Sequence, residues 1–99
     1  MRILKINDQE HTVDGMLDGF NIHQKPSSNV EYFGDNGNEI FIQFKNGSCY
    51  IYKGILKEHI QQMYEADSIG KFISALSKLY PYITIKQRLV NTVIETTKP

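Results

Sequence analysis

The chain has 99 residues, which is the size of one domain with one core and leaves little room for a separate catalytic lobe. Hydrophobic residues make up 40% of the sequence, with six Tyr and five Phe, a composition that excludes a disordered tail. Eleven basic side chains balance eleven acidic ones, and this neutrality argues against a protein that binds duplex nucleic acid through its phosphates.

The charges are spread unevenly along the chain. Residues 1–52 carry four basic and seven acidic side chains, whereas residues 53–88 carry six basic and three acidic ones. The second half can therefore present a modest basic face, although the solvated outer surface of helices accounts for the same charges.

The chain has a single cysteine, Cys49, so it cannot form an internal disulfide. Cys49 lies in an apolar run, which favours a buried, inert thiol over a nucleophile. One cysteine and three scattered histidines give no metal-ligand spacing, and we expect neither a metal nor a cofactor. Because no apolar stretch suits a membrane span or a secretory signal, we expect a cytoplasmic protein without a membrane partner.

The first 25 residues are weakly patterned. Alternation over residues 3–6 predicts a short strand, and residues 10–13 predict a second one after a turn at 7–8. Gly15 and Gly19, each preceded by Asp, then indicate a loop.

A predicted antiparallel meander follows. Residues 29–33, 39–45 and 48–53 have the composition of strands. The dense turn signal over residues 34–38 separates the first two, and Asn46-Gly47 forms the hairpin between the last two.

After Gly54 the apolar period changes from two to 3.6. Leu56, Ile60 and Met63 recur at helical spacing, with His59 on the solvated outer face. Asp67-Ser68 offers caps for a second helix, which Pro81 ends. The apolar stripe of this second helix consists of Ile69, Phe72, Ile73, Leu76, Leu79 and Tyr80.

The two stripes need a partner, and the meander offers the broad apolar face. We therefore predict an α+β fold in which a three-stranded meander packs against two helices around a single compact interior. Short strands from the terminal segments extend it. Ile83 and Ile85 alternate as in a strand, while residues 89–94 suit a helix or a strand that pairs with the N-terminal one.

Residues 27–82 resemble the KTSC domain, a family named after its occurrence at the C-terminus of some lysyl-tRNA synthetases. The order and spacing of several motifs carry the resemblance together. These motifs are Ser27-Ser28-Asn29-Val30, Tyr32, the strand 40–47, Tyr50-x-Tyr52, Gly54-Ile55, Ala66-x-Ser68-x-Gly70-x-Phe72 and Tyr80. Two positions depart from the family pattern, since Leu56 replaces a proline and Ser74 an asparagine.

The resemblance implies a domain over residues 26–82, with an N-terminal extension over 1–25 and a C-terminal extension over 83–99. It also implies single-domain occurrence in bacteria and their viruses, and a suspected role in RNA binding.

The face on which Tyr50 and Tyr52 lie depends on the hairpin turn. A two-residue loop at Asn46-Gly47 places both tyrosines opposite the core, on an open face where aromatic rings can stack unpaired bases. A three-residue loop that includes Lys45 places them under the helices as core residues. We favour the three-residue loop, because members of the family often carry a polar residue where Ile51 stands, which predicts an exposed position.

Ser68, Gly70 and Lys71 form the second candidate site. Ser68 can simply cap the second helix, and Gly70 can allow close packing. In the functional alternative, the free N–H groups at this helix start bind a phosphate with the help of Lys71.

Three functions follow from these patterns. The first is a small non-enzymatic module that binds RNA or single-stranded nucleic acid through Tyr50, Tyr52, Lys53 and Lys71. The second is a phage or plasmid protein that binds a protein partner or forms a homo-oligomer through an open sheet edge. The third is a small-nucleotide binder at the start of the second helix. An enzyme is the least expected, because no acid, base and nucleophile set is visible.

Overall fold

Two antiparallel sheets and two helices make up the fold. The computed structural model describes residues 2–6, 9–13 and 15–86. Strands β1 and β2 form a two-stranded hairpin, and the other five strands form a sheet in the order β3-β4-β5-β6-β7. The elements are β1 (Arg2–Ile6), β2 (Gln9–Val13), a 3₁₀ helix (Gly15–Leu17), β3 (Asn21–His23), β4 (Val30–Asp35), β5 (Ile40–Phe44), β6 (Cys49–Tyr52), α1 (Lys57–Glu65), α2 (Ile69–Leu79) and β7 (Tyr82–Ile85).

The predicted meander is present, but it is only the centre of a larger sheet. Strands β4, β5 and β6 pair antiparallel, while β3 and β7 extend the sheet on either side. The predicted N-terminal hairpin and the strand at Ile83 and Ile85 are confirmed as β1, β2 and β7. Strand β3 was not predicted, because it has only three residues and follows directly on the loop signal at Gly19. The predicted element at residues 89–94 lies outside the described residues.

The loop between β5 and β6 has three residues, as favoured from the sequence. The Phe44 N–H donates to the Ser48 carbonyl at 2.8 Å, and Gly47 takes a positive φ of 93°. A left-handed residue at the third loop position is typical of this hairpin, and it suits glycine. In this register Ile42 lies opposite Tyr50 and Ile40 opposite Tyr52. Tyr50 and Tyr52 therefore face the helices.

The helices bury one face of the sheet, as predicted. One apolar cluster joins this face to the buried stripes of α1 and α2. Leu56 and Leu79 are exceptions, since 55% and 65% of their surfaces are exposed. They stand at the N-cap of α1 and at the last position of α2. The cluster consists of Val30, Phe33, Ile40, Ile42, Tyr52, Ile55, Ile60, Met63, Ile69, Ile73 and Leu76.

The opposite face of the sheet is also buried, which corrects two predictions. The expected single interior is in fact two clusters, and Ile51, expected to be exposed, is 4% exposed. Residues from the N-terminal 25 cover this face, where the Phe20 and Phe41 ring centroids lie 6.0 Å apart. The second cluster consists of Ile6, Leu17, Phe20, Ile22, Tyr32, Phe41, Cys49, Ile51 and Ile85, with Leu4 packed against it.

A β-bulge in β4 assigns its side chains to the two faces. The pairing shifts between Val30 and Tyr32, so that Glu31 is the extra residue. Val30 and Phe33 consequently point to the helices, whereas Tyr32 points to the N-terminal side. Within the part of the chain that is described, no helix has the length and apolar character to cross a membrane.

Candidate ligand-binding groove

A groove on the helix side of the sheet brings together the two candidate sites that the sequence analysis treats separately. One cleft of this groove, the helix-start cleft, has a volume of about 370 Å³ and lies between residues 26–29 and the start of α2. A second cleft of about 220 Å³ continues from it along the ends of β5, β6 and β7. Three residues line both clefts, namely Asn29, Gly70 and Ser74.

The loop 26–29 that forms one wall is held by its own side chains. The Ser27 hydroxyl accepts hydrogen bonds from the N–H groups of Val30 at 3.1 Å and Asn29 at 3.3 Å. The Asn29 carbonyl accepts from the Lys45 N–H at 2.8 Å, which ties the loop to the hairpin turn. Such local bonds fix a loop of small polar residues in one shape.

The start of α2 forms the opposite wall. Ser68 is the N-cap, and its hydroxyl accepts from the Lys71 N–H at 3.3 Å. A Cβ atom on Gly70 would lie 2.8 Å from the Asn29 side-chain oxygen, so glycine permits the close contact between the two walls. The structural interpretations of Ser68 and Gly70 are thus confirmed. The first N–H groups of α2 have no acceptor within the helix and carry its positive dipole end.

Aromatic rings line the continuation of the groove. Tyr50 makes edge-to-face contacts with Phe44 and Tyr82, with ring centroids 5.7 and 5.3 Å apart. Tyr82 lies opposite Tyr52 on the edge strand β7 and is 49% exposed, so its ring is the most accessible of the row. An accessible ring beside a polar helix start can contact a base while the helix start contacts a phosphate.

Tyr52 belongs to the core more than to the groove. Its ring is 2% exposed, and its hydroxyl lies 2.7 Å from the Ser77 hydroxyl. Because Ser77 donates to the Ile73 carbonyl at 3.0 Å, Tyr52 is the donor in this pair. Burial raises the pKa of Tyr52, and this effect is larger than the opposite effect of the hydrogen bond to Ser77. Its ring face is therefore not available to stack a ligand.

The candidate lysines occupy different places. Lys71 is exposed at the start of α2 and lines the helix-start cleft, together with Asp67. Lys53 lines none of the clefts described here, and its ammonium group lies 3.9 Å from the Glu39 carboxylate on the surface. Lys45, which is not among the candidates chosen from the sequence, lines a neighbouring cleft with Ser28, Asn29, Phe44 and Asn46.

The sequence predicts that His59 is simply solvated, and this prediction is wrong. Its Nδ1 atom lies 2.6 Å from the Tyr80 hydroxyl, which also accepts from the Leu56 N–H at 3.4 Å. Tyr80 thus connects the end of α2 to the start of α1. No described group of His, Cys, Asp or Glu side chains is placed to hold a metal ion.

The roles of Asn29, Phe44 and Tyr82 in the groove could not be predicted from the sequence. Asn29 occurs in a motif, but only the fold places it between the two walls. Tyr82 directly follows Pro81, and its face is decided by the pairing of β7 with β6, a register that no turn motif encodes.

The comparison with family models matches the KTSC domain over residues 26–80, which is more than half of the chain. The matched segment contains both walls of the helix-start cleft as well as Phe44, Tyr50 and Tyr52. A comparison with curated proteins found no significant match.

Proposed function

The chain belongs to the KTSC domain family, and from this premise we propose that it is a non-enzymatic module that binds single-stranded RNA in the groove around Asn29. The proposal includes single-stranded DNA as a weaker ligand of the same groove. We propose a cytoplasmic location for this activity, and the link of the family name to lysyl-tRNA synthetases agrees with an RNA ligand.

One observation carries the proposal, namely that a helix start and an exposed aromatic ring line the same groove. The N–H groups of α2 and the Lys71 ammonium group suit a phosphate. Tyr82 and Tyr50 line the groove on the other side of Asn29. The exposed ring of Tyr82 can stack on a base, and the edge of the Tyr50 ring can contact it. A phosphate and its base can thus be contacted by one continuous surface.

The modest charge of the groove determines the expected kind of binding. Lys71 and Lys45 are the cations beside the groove, and Asp67 opposes them. Two phosphate contacts on a single strand predict a weak salt dependence, with a roughly fivefold to tenfold loss of affinity between about 50 and 200 mM salt. Stacking on tyrosine tolerates any base, so we expect little sequence preference.

The test is a fluorescence anisotropy titration of a short single-stranded RNA at these two salt concentrations. Lys71→Ala removes a phosphate contact and should reduce the salt slope by about 0.7. The matched control is Lys78→Ala, which removes an exposed lysine from the last turn of the same helix. Absence of binding at low salt, or an equal effect of the two substitutions, would contradict the proposal.

The aromatic part of the groove is tested separately. Tyr82→Ala should weaken binding by about fivefold to 150-fold, because the stacking of one base contributes roughly 1–3 kcal/mol. Leu79→Ala is the control, since Leu79 is exposed at the end of α2 and lines neither of the two clefts. If Tyr82→Ala binds RNA as tightly as the unaltered chain, bases do not stack on this ring.

A small nucleotide is a second candidate for the same groove, because the helix-start cleft of about 370 Å³ has the size of a small-molecule site. Thermal-shift screening separates the two ligands. A nucleoside monophosphate that stabilises the chain as strongly as RNA of equal phosphate concentration would favour the nucleotide.

Association with a protein or a second copy is favoured by strand β7, where Tyr82 also lines the groove. Tyr82 and Ile83 are exposed on β7, which pairs only with β6 in the described sheet. An exposed strand edge can pair with another strand. Light scattering after gel filtration tests self-association, and a strict monomer at high concentration would exclude the homo-oligomer.

A further inference from the structure

The N-terminal side of the sheet is closed by a cover that contains a buried histidine. The N-terminal cover is defined here as β1, β2, the 3₁₀ helix Gly15–Leu17 and Phe20. It lies outside the segment matched to the family, and it supplies Ile6, Leu17 and Phe20 to the second apolar cluster. His11, on β2, is 1% exposed and is one of only two buried polar side chains among the described residues.

The hydrogen bonds of His11 fit the neutral imidazole. Nδ1 lies 3.1 Å from the Gln9 carbonyl, which can only accept, so Nδ1 carries the proton. Nε2 is then the acceptor, and the Tyr32 hydroxyl donates to it at 2.9 Å. The two rings also meet edge to face, with centroids 5.2 Å apart. His11 and Tyr32 form a polar joint between the cover and the central sheet.

Among the described residues, the groups around His11 do not supply a buried counter-charge. On β4, Tyr32 is a neutral hydroxyl and Glu31 is half-buried, while Cys49 on β6 is a buried thiol. On the hairpin itself, Glu10 and Lys5 lie opposite each other and are exposed. Burial lowers the pKa of His11, and this outweighs the opposing effects of the Gln9 bond and of Glu31.

We propose that the N-terminal cover is released by acid, with protonation of His11 as the trigger and the apolar sheet face around Cys49 and Ile51 as the surface that becomes exposed. A second proton on the ring adds a charge to a site that excludes water. It also removes the Nε2 lone pair that accepts from Tyr32. Among the described residues, His11 is the only buried histidine, since His23 is exposed and His59 is half-buried.

The direction of the pH effect follows from the linkage between protonation and opening. The open state has an ordinary His11 pKa of about 6.5, and the closed state has a lower one. Above about pH 6.5 both states are neutral at this position, and the cover is fully stabilised. As the pH falls further, the open state binds the proton first. Each pH unit in this window raises the open-to-closed ratio by up to about tenfold.

Cys49 provides a built-in measurement of opening. It is the only cysteine of the chain, is 1% exposed, and lies in the cluster under the cover. The experiment measures the reaction of the full-length chain with dithiodipyridine between about pH 7.5 and pH 5, relative to free N-acetylcysteine at each pH. The relative rate should rise by roughly tenfold or more on acidification, while the helical circular-dichroism signal stays constant.

The three histidines of the chain allow matched controls. His11→Gln replaces the imidazole by an amide, which cannot be protonated in this pH range. The relative rate of Cys49 in this variant should therefore not change with pH. His23→Gln and His59→Gln alter histidines outside the cover and should keep the rise. Tyr32→Phe removes the donor to Nε2 and should raise the rate already at neutral pH, which provides a second test if His11→Gln folds poorly.

Three results would overturn the proposal. The first is a relative Cys49 rate that does not change between the two pH values. The second is a rise that persists in His11→Gln or disappears in one of the two histidine controls. The third is a loss of the helical signal in parallel with the rise, since this would mean that the whole domain unfolds and not the cover alone.

Discussion

The two faces of the central sheet are buried by different means. On one face, α1 and α2 bury regular apolar stripes, and the family match over residues 26–80 includes this whole layer. On the other face, a short hairpin and a 3₁₀ helix bury a few large side chains together with one imidazole. The groove lies on the helix side. The difference suggests that one face holds the binding surface and that the other is an addition with its own conditions for staying closed.

A matched pair of leucines tests whether both faces contribute equally to stability. Leu76 on the helix side and Leu17 on the N-terminal side are 2% and 1% exposed. Replacement of either by Ala leaves a cavity and should lower the free energy of unfolding by about 2–5 kcal/mol. Denaturant unfolding monitored by circular dichroism gives both values.

Leu17→Ala also tests whether the N-terminal face takes part in RNA binding. Leu17→Ala should leave RNA affinity unchanged when measured under conditions where the variant is folded, because Leu17 does not line the groove. A cost below about 1 kcal/mol for Leu17→Ala would contradict close packing of the cover, since buried leucines rarely cost so little.

Gly34 tests the strand that adjoins the cover. A Cβ atom at this position of β4 would lie 1.9 Å from the Asn21 carbonyl oxygen of β3. Gly34→Ala should therefore displace β3 and cost roughly 1–3 kcal/mol. Gly19→Ala is the control, because its added methyl group would meet nothing within 4 Å and Gly19 has no positive φ. Equal denaturation midpoints for the two variants would mean that β3 does not lie as close to β4 as described.

Ser68 tests whether the groove can be altered without damage to the helix side. Ser68→Ala removes the cap of α2 and should cost about 1 kcal/mol of stability. Ser68→Asp keeps a capping oxygen and should retain the stability, but its negative charge repels a phosphate at the helix start. We expect weaker RNA binding for Ser68→Asp in the titration described above. If Ser68→Asp binds RNA as tightly as the unaltered chain, no phosphate of the RNA lies at the start of α2.

Local signals account for the parts of the fold that could be predicted. The stripe of Ile69, Ile73 and Leu76 has a helical period, and Ser68 caps its own helix, so both can be read within a few residues. The loop before β6 is a partial case. Asn46-Gly47 suits a two-residue or a three-residue turn, and only the packing of Tyr50 and Tyr52 against the helices distinguishes them.

Non-local pairings account for what could not be predicted. The bulge at Glu31 carries no sequence signal, yet it turns Tyr32 away from the helices and toward His11. The position of Tyr82 in the groove likewise depends on the register of β7 against β6. Alternation along one strand shows which residues share a face, but it does not show what covers that face.

Tyr52 and Ser77 provide the finest test of the helix side. Tyr52→Phe removes a hydroxyl that donates to Ser77, while the Ser77 hydroxyl keeps its acceptor at Ile73. No buried donor is left unsatisfied, so the cost should be only about 0.5–1.5 kcal/mol. Ser77→Ala removes the acceptor of Tyr52 and should cost at least as much. In a double-mutant cycle the combined variant should lose less than the sum of the two, because both substitutions remove the same bond. Strict additivity of the unfolding free energies would show that the two hydroxyls do not interact and that the ring of Tyr52 is held by packing alone.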